Sequence, residues 1–254
     1  MRRLLLAAFV AAFLISPVRA DPLADIRATA IMLTPQLATE KSKIEIAIQL
    51  RDQVHRSGIF SDSGVPNLST ADLSDWGNAY RSSFVTRTRA NSCNGLAILY
   101  MLSLRSFGIT SRIVTLYAKN QVSLIASSHA TVDVLIDGKW VAMDPTFNVS
   151  LRDEASQHIS WREAIERYRS GKVVQVADDG KPRIETKFSY YFDRLMDSSF
   201  KSLAKFAFLG PYPGGKAESL NPEWDGKIHY IDGRTWDAWA SVDGSFYKNI
   251  AGVN

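Results

Sequence analysis

One cysteine, Cys93, and two of the four histidines and aspartates that cluster around residues 129–144 are the side chains in this sequence best suited to covalent chemistry. A thiolate attacks carbonyl carbon. An imidazole beside it takes the thiol proton and later returns one to a leaving group, and a carboxylate on the far ring nitrogen fixes the tautomer and steadies the imidazolium. Cys93 opens the run Cys93-Asn94-Gly95-Leu96-Ala97-Ile98-Leu99, where a helix N-terminus would favour the thiolate through its unpaired N–H groups and dipole. By position alone it is equally a buried structural thiol, so its partners decide.

The partners come from a hairpin. Two alternating runs, 129–136 and 139–144, flank Asp137-Gly138, a pair strongly associated with two-residue hairpin turns. With Ile136 facing Lys139, Asp144 lies opposite Thr131 and on the same sheet face as His129. Such diagonal neighbours sit about 7–8 Å apart at the backbone, close enough for their side chains to meet. Val132, Val134, Ile136, Val141 and Met143 fall on the other face, the expected core side. The His129/Asp144 face is then free to line a cleft, with Asp133 on it as a solvated strand acid.

Stepping outward along the chain, the segment 93–107 carries Leu96, Ala97, Leu99, Tyr100, Leu102, Leu104 and Phe107 and leaves little polar face, which predicts a helix buried on most sides. Gly108 ends it, and 109–118 follows as a strand. Upstream, Ile44, Ala47, Leu50 and Val54 recur at three and four residues and predict an amphipathic helix over 41–58. Lys41, Lys43, Glu45, Arg51 and Asp52 form its expected wet face, and His55 in the last turn is read as structural. Residues 59–92 are loop-like, with one short helix around 71–80. Downstream, Ser160-Trp161-Arg162-Glu163 is a capping box opening a helix to about Ser170, with Gly171 as its stop. A turn or short hairpin is expected over 173–181. Phe188, Phe192, Leu195, Phe200, Leu203 and Phe206 mark a helical stretch, and the last 44 residues form an aromatic, Pro- and Gly-rich tail wrapping over the core.

The N-terminus sets the expected compartment. Met1-Arg2-Arg3, an apolar run over 4–15 and Val18-Arg19-Ala20 have the order of a secretory signal with cleavage after Ala20. The apolar run is shorter than the roughly 20 residues a spanning helix needs. An exported protein, periplasmic or secreted, is expected, with no membrane span after cleavage. The first 20 residues hold three arginines and no acid, so 30 basic residues become 27 against 26 acids beyond them, a net charge of +1. That balance offers no electrostatic footprint for nucleic acid. His55, His129, His158 and His229 share no metal-ligand spacing, and one cysteine cannot build a thiolate zinc site. No Gly-x-Ser-x-Gly elbow or Gly-rich phosphate loop is present, and no cofactor is expected.

Taken together, Ser92-Cys93-Asn94-Gly95-Leu96-Ala97, Leu104-Arg105-Ser106-Phe107-Gly108-Ile109, His129-Ala130-Thr131-Val132-Asp133-Val134 and Gly138-Lys139-Trp140-Val141-Ala142-Met143-Asp144-Pro145-Thr146 resemble the transglutaminase-like core domain family, over roughly residues 44–147. The resemblance implies an α+β, papain-like fold: a nucleophile helix packed on an antiparallel sheet, followed here by a helical and loop-rich C-terminal extension. It implies Cys93 as nucleophile, His129 as general acid/base and Asp144 as orienting carboxylate. Thr131 stands where the family has an aromatic residue, and Asn94 and Thr110-Ser111 also depart from its pattern. The second oxyanion donor is not placed, with Trp76 and Gln53 as candidates beside the Cys93 N–H.

The expected organisation is a leader over 1–20, a transglutaminase-like core over 21–170 and an extension over 171–254. The leading functional expectation is an exported thiol enzyme that hydrolyses or transamidates amide or peptide bonds through a thioester. Its substrate would be a peptide, a protein or a peptide-modified glycan. The alternative is a non-catalytic binding or assembly module of a cell-envelope or polysaccharide-secretion system on the same fold.

Overall fold

The computed structural model describes residues 21–57, 59–60, 77–78, 80–81, 90–91, 93–117 and 128–177, and short strands at 206–209, 218–219, 227–229 and 235–237. The expected leader over 1–20, Trp76 and the expected helical stretch over 188–205 lie outside the described residues.

Helix α1 (Pro22–Leu33) has no counterpart in the sequence reading. Asp21 caps it by accepting from the Leu23 N–H at 3.0 Å, and Pro22 occupies the first helical position, where its missing N–H costs nothing. The helix fully buries only Ile26 and Ala30, a stripe too narrow to show as a period. Helix α2 (Lys43–Ser57) buries Ala47, Leu50 and Val54 as its spacing predicts, with Ile44 only partly buried and Ile46 buried beside them. Arg51 and Asp52 do not belong to a wet face, however. They are 0% and 4% exposed, because α2 is packed on two sides: the Tyr100 hydroxyl donates to Ala47 O at 2.9 Å on one, and Arg51 reaches Asn148 on the other.

Helix α3 (Cys93–Ser106) is buried at every position from 95 to 104. It ends as its sequence dictates. Gly108 takes φ +71°, its N–H donates to Arg105 O, and the Ile109 N–H reaches back to Leu104 O, each at 2.9 Å, a Schellman closure.

The strands β3 (Ser111–Tyr117), β4 (Ser128–Ile136), β5 (Lys139–Asp144), β6 (Val149–Arg152), β7 (Gln175–Ala177), β8 (Phe206–Leu209) and β9 (Glu218–Ser219) form one sheet in the order β7-β6-β5-β4-β3-β8-β9, antiparallel at each pairing. Two small pairs stand apart: β1 (Ile59–Phe60) with β2 (Ala90–Asn91), parallel, and β10 (Lys227–His229) with β11 (Thr235–Asp237), antiparallel. Phe206 begins a strand rather than ending a helix, because β8 pairs with the open side of β3 and satisfies its backbone groups. Residues 175–177 pair with β6, and the rest of the expected turn or hairpin, 178–181, lies outside the described residues.

The β4–β5 hairpin has the predicted register, with Ile136 opposite Lys139 and Val132 opposite Met143. Asp137 and Gly138 both take positive φ, +47° and +81°, as a type I′ turn requires. Val132, Val134, Ile136, Val141 and Met143 join α1, α2 and α3 in the main core.

The opposite face departs from expectation. It is not open along its length: Thr131 and Asp133 are fully buried, beneath helix α4 (Trp161–Arg169) and the residues around it, including Phe147, Ile159, Trp161, Ala164 and Ile165. Helix α4 is capped as predicted, with the Glu163 N–H donating to Ser160 Oγ at 3.1 Å. Asp133 is no solvated acid. Its Oδ2 accepts from Arg112 Nε and Nη2 at 3.2 and 3.0 Å, its Oδ1 accepts from the Trp161 N–H at 3.0 Å, and Arg112 stacks 4.1 Å from the Trp140 ring centroid. Burial pushes the Asp133 carboxyl above the usual carboxylate range, against the pull of Arg112.

Removing one member of a buried ion pair costs about 3–5 kcal/mol. Asp133→Ala is therefore expected to lower unfolding stability by that order in urea titration, since it strips Arg112 of its carboxylate and the first turn of α4 of its acceptor. A loss below about 1 kcal/mol would show that the pair does not hold α4 to the sheet.

Candidate active site

Three elements converge at the open end of the β4–β5 hairpin, away from its turn. β4 brings His129, β5 ends on Asp144, and α3 begins with Cys93. The sequence ruler predicts that His129 and Asp144 share a face, and they meet: His129 Nε2 lies 2.6 Å from Asp144 Oδ2. That engagement leaves Nδ1 as the ring nitrogen available to Cys93, which lies near enough to help raise the pKa of the imidazole. The three residues singled out in the sequence are thus in one place. Cys93 is partly exposed, whereas His129 and Asp144 are 4% and 2% exposed.

Pro145 ends the strand, and the chain turns through 145–148 before β6 begins. That turn completes the carboxylate's surroundings. Asp144 Oδ1 accepts from the Thr146 N–H at 2.8 Å and the Phe147 N–H at 3.2 Å. One oxygen is therefore committed to backbone and the other to the imidazole. The Phe147 ring packs against His129 at 5.2 Å between centroids. Thr131, where the family pattern has an aromatic residue, turns its hydroxyl inward to Met143 O at 3.0 Å, so the departure leaves no orphaned polar group.

The electrostatics follow from this geometry. Burial alone would push the His129 pKa down, but the Asp144 carboxylate, by charge and by hydrogen bond, and then Cys93 outweigh it and raise the value to about 10. A buried imidazolium between a carboxylate and a sulfur is the expected charge state near neutrality.

Sequence reasoning missed the residues behind the turn. His55 Nδ1 lies 3.3 Å from Pro145 O and 3.1 Å from Thr146 O, and Arg51 Nε donates to Asn148 Oδ1 at 2.9 Å. Both belong to α2, nearly a hundred residues away in sequence, and no local pattern links them to a turn after a strand. Of the two oxyanion candidates, Gln53 is turned elsewhere, its Nε2 donating to Ala30 O of α1 at 3.3 Å. The imidazoles of His129 and His55 do not combine with other side chains into a metal-binding group among the described residues.

Comparison with known proteins bears on the fold. Residues 31–145 match the family model of the transglutaminase-like superfamily, a stretch that runs from the end of α1 to Pro145 and takes in Cys93, His129 and Asp144. The resemblance to the transglutaminase-like superfamily and the α+β fold of this segment are therefore established. Similar solved structures include a Cytophaga hutchinsonii protein described as a putative cysteine protease, 19% identical with a TM-score of 0.36, covering 49% of this chain and 37% of that one. A second, described as a TGase, is 16% identical with a TM-score of 0.35, covering 76% of this chain and 53% of that one. The chain thus spans about a third to a half of the length of these structures. No curated protein matches it in sequence.

The raised pKa of His129 fixes the sign of a pH effect. A group whose pKa is raised on folding, here from 6.5 to about 10, contributes stability that is fully present below about 6.5 and is lost as pH rises through about 10. The melting-temperature advantage of the wild type over His129→Gln is expected to shrink between pH 7 and pH 10. Imidazole NMR of the folded protein should follow the same curve, and Asp144→Asn should move the His129 midpoint down. A His129 midpoint near 6.5 in the wild type would refute the assignment.

Proposed function

We propose that this protein is an exported thiol-dependent acyl-transfer enzyme that cleaves amide or peptide bonds through a thioester on Cys93. The observation that carries this reading is the 2.6 Å bond between His129 Nε2 and Asp144 Oδ2, with Cys93, the first residue of α3, near enough to the same ring to help raise its pKa. The leader-like order of residues 1–20 supports export to the periplasm or medium.

In this reading the Cys93 thiolate attacks the substrate carbonyl, forming a C–S bond as the carbonyl electron pair moves to oxygen. The Cys93 backbone N–H, at a helix start where it needs no partner within the helix, is one donor to that oxygen. Collapse of the tetrahedral species breaks the C–N bond, and His129 gives its Nδ1 proton to the departing amine. Now neutral, His129 takes a proton from water as the water oxygen attacks the thioester. The C–S bond breaks, the acid product leaves, and the thiolate–imidazolium pair is restored. An amine replacing water in the second half gives transamidation with the same proton transfers. Asp144 accepts from Nε2–H and so keeps the neutral ring in the tautomer whose Nδ1 lone pair faces Cys93. The substrate in this reading is a peptide, a protein or a peptide-bearing glycan.

Substitution separates these roles. Cys93→Ala should fold as the wild type and lose all hydrolysis of peptide substrates. Asp144→Asn should lower kcat by about 10²–10⁴ with a small effect on KM, because it disturbs the tautomer rather than substrate binding. Since Cys93 is the sole cysteine, iodoacetamide labelling reports on this thiol alone, and rapid alkylation at mildly acidic pH is expected. Unchanged hydrolysis by a folded Cys93→Ala protein would sink the mechanism.

A further inference from the structure

Asp144 sits on a strand end followed by a turn, and a carboxylate there is only as well placed as the turn that holds it. Its Oδ1 hangs on two N–H groups of that turn, from Thr146 and Phe147. The carbonyls of the same turn point the other way, toward α2. His55 Nδ1 lies within 3.3 Å of two of them, Pro145 O and Thr146 O. A nitrogen facing only carbonyl oxygens must carry the proton, so His55 is the Nδ1–H tautomer. Its Nε2 is buried and has no hydrogen-bond partner, which leaves the imidazole no acceptor for a second proton. At the end of the turn, Asn148 takes φ +57°, a conformation that costs a non-glycine residue energy unless its surroundings hold it. Arg51, fully buried one helical turn before His55, donates to its Oδ1 and also contacts Met143 Sδ on β5 at 3.4 Å.

We propose that His55 and Arg51 are positioning residues: from α2 they grip the 145–148 turn by its carbonyls and by Asn148, and so aim the Asp144 carboxylate at His129. Neither side chain need touch substrate. The inference deepens the proposed thiol mechanism and rests on it, because the aim of Asp144 matters only if the His129–Cys93 pair is the reacting pair. The role explains why polar residues of α2 are buried at a cost, where apolar ones would pack as well. Burial, with Nε2 unpartnered, disfavours the charged form of His55, so it serves as a neutral Nδ1–H donor.

The two ring nitrogens give a conservative control. The amide nitrogen of asparagine superposes on Nδ1 of histidine, whereas that of glutamine superposes on Nε2. His55→Asn therefore keeps the donor, and His55→Phe keeps the ring without it. Asn148→Gly removes the acceptor for Arg51 while relieving the positive φ, so this second variant loosens the turn without strain.

The readout is the rate of Cys93 alkylation by iodoacetamide at pH 6 in the full chain, with melting temperature measured alongside. His55→Phe and Asn148→Gly should each slow alkylation about tenfold, since a misplaced carboxylate no longer supports the imidazolium beside the thiolate. His55→Asn should stay within about twofold of the wild type. The proposal is overturned if folded His55→Phe and Asn148→Gly alkylate like the wild type. It is equally overturned if His55→Asn falls as far as His55→Phe, which would mark packing alone. His129→Ala distinguishes a deeper failure: if it too leaves the rate unchanged, the thiol–imidazole pairing itself is wrong and the positioning role falls with it.

Discussion

The register of the β4–β5 hairpin is the constraint on which the site depends. Strand side chains alternate between faces, so a slip of one residue would carry Asp144 into the apolar core and bring Met143 out beside His129. The register is held at both ends. Asp137 and Gly138 take the left-handed conformations that a two-residue turn needs, and the buried Val132, Val134, Val141 and Met143 bind one face to the helices. Once those are satisfied, His129 and Asp144 have no choice but to face the same way.

That face carries two buried aspartates that invite comparison. Asp133 and Asp144 each give one oxygen to backbone N–H and the other to a cationic partner. Asp133 is matched with Arg112, whose charge is permanent, and the result is a fixed strut between sheet and α4. Asp144 is matched with His129, whose proton can be given up and recovered, and the result is a group able to take part in a reaction. The backbone solves the same desolvation problem twice, and the chemistry of the cation decides whether the pair is permanently charged or can exchange its proton.

Much of this was legible in the sequence because it rests on short-range rules. The hairpin turn, the glycine closing α3, the capping box of α4 and the apolar period of α2 are each written within a few residues, and each has its expected form. What was not legible depends on contacts between distant segments. Arg51 and Asp52 look solvated by local charge yet are buried, Arg51 against the turn near residue 148. Asp133 looks like an exposed strand acid until α4 covers it. Phe206 sits at helical spacing from its upstream neighbours, yet pairs as a strand because β3 has an open side. The candidate residues were found through spacing and family resemblance. The shell around them was found only in three dimensions.

The exposed turn at Asp137-Gly138 has a practical side. Residues 137–139 are open to solvent, and the hairpin rises for eight residues between the turn and His129, about 27 Å at the usual strand spacing. A fluorophore, affinity handle or surface tether attached there would sit at the remote end of the rigid element that carries both His129 and Asp144. The molecule thus offers an attachment point that is mechanically coupled to the end carrying His129 and Asp144, yet well removed from it.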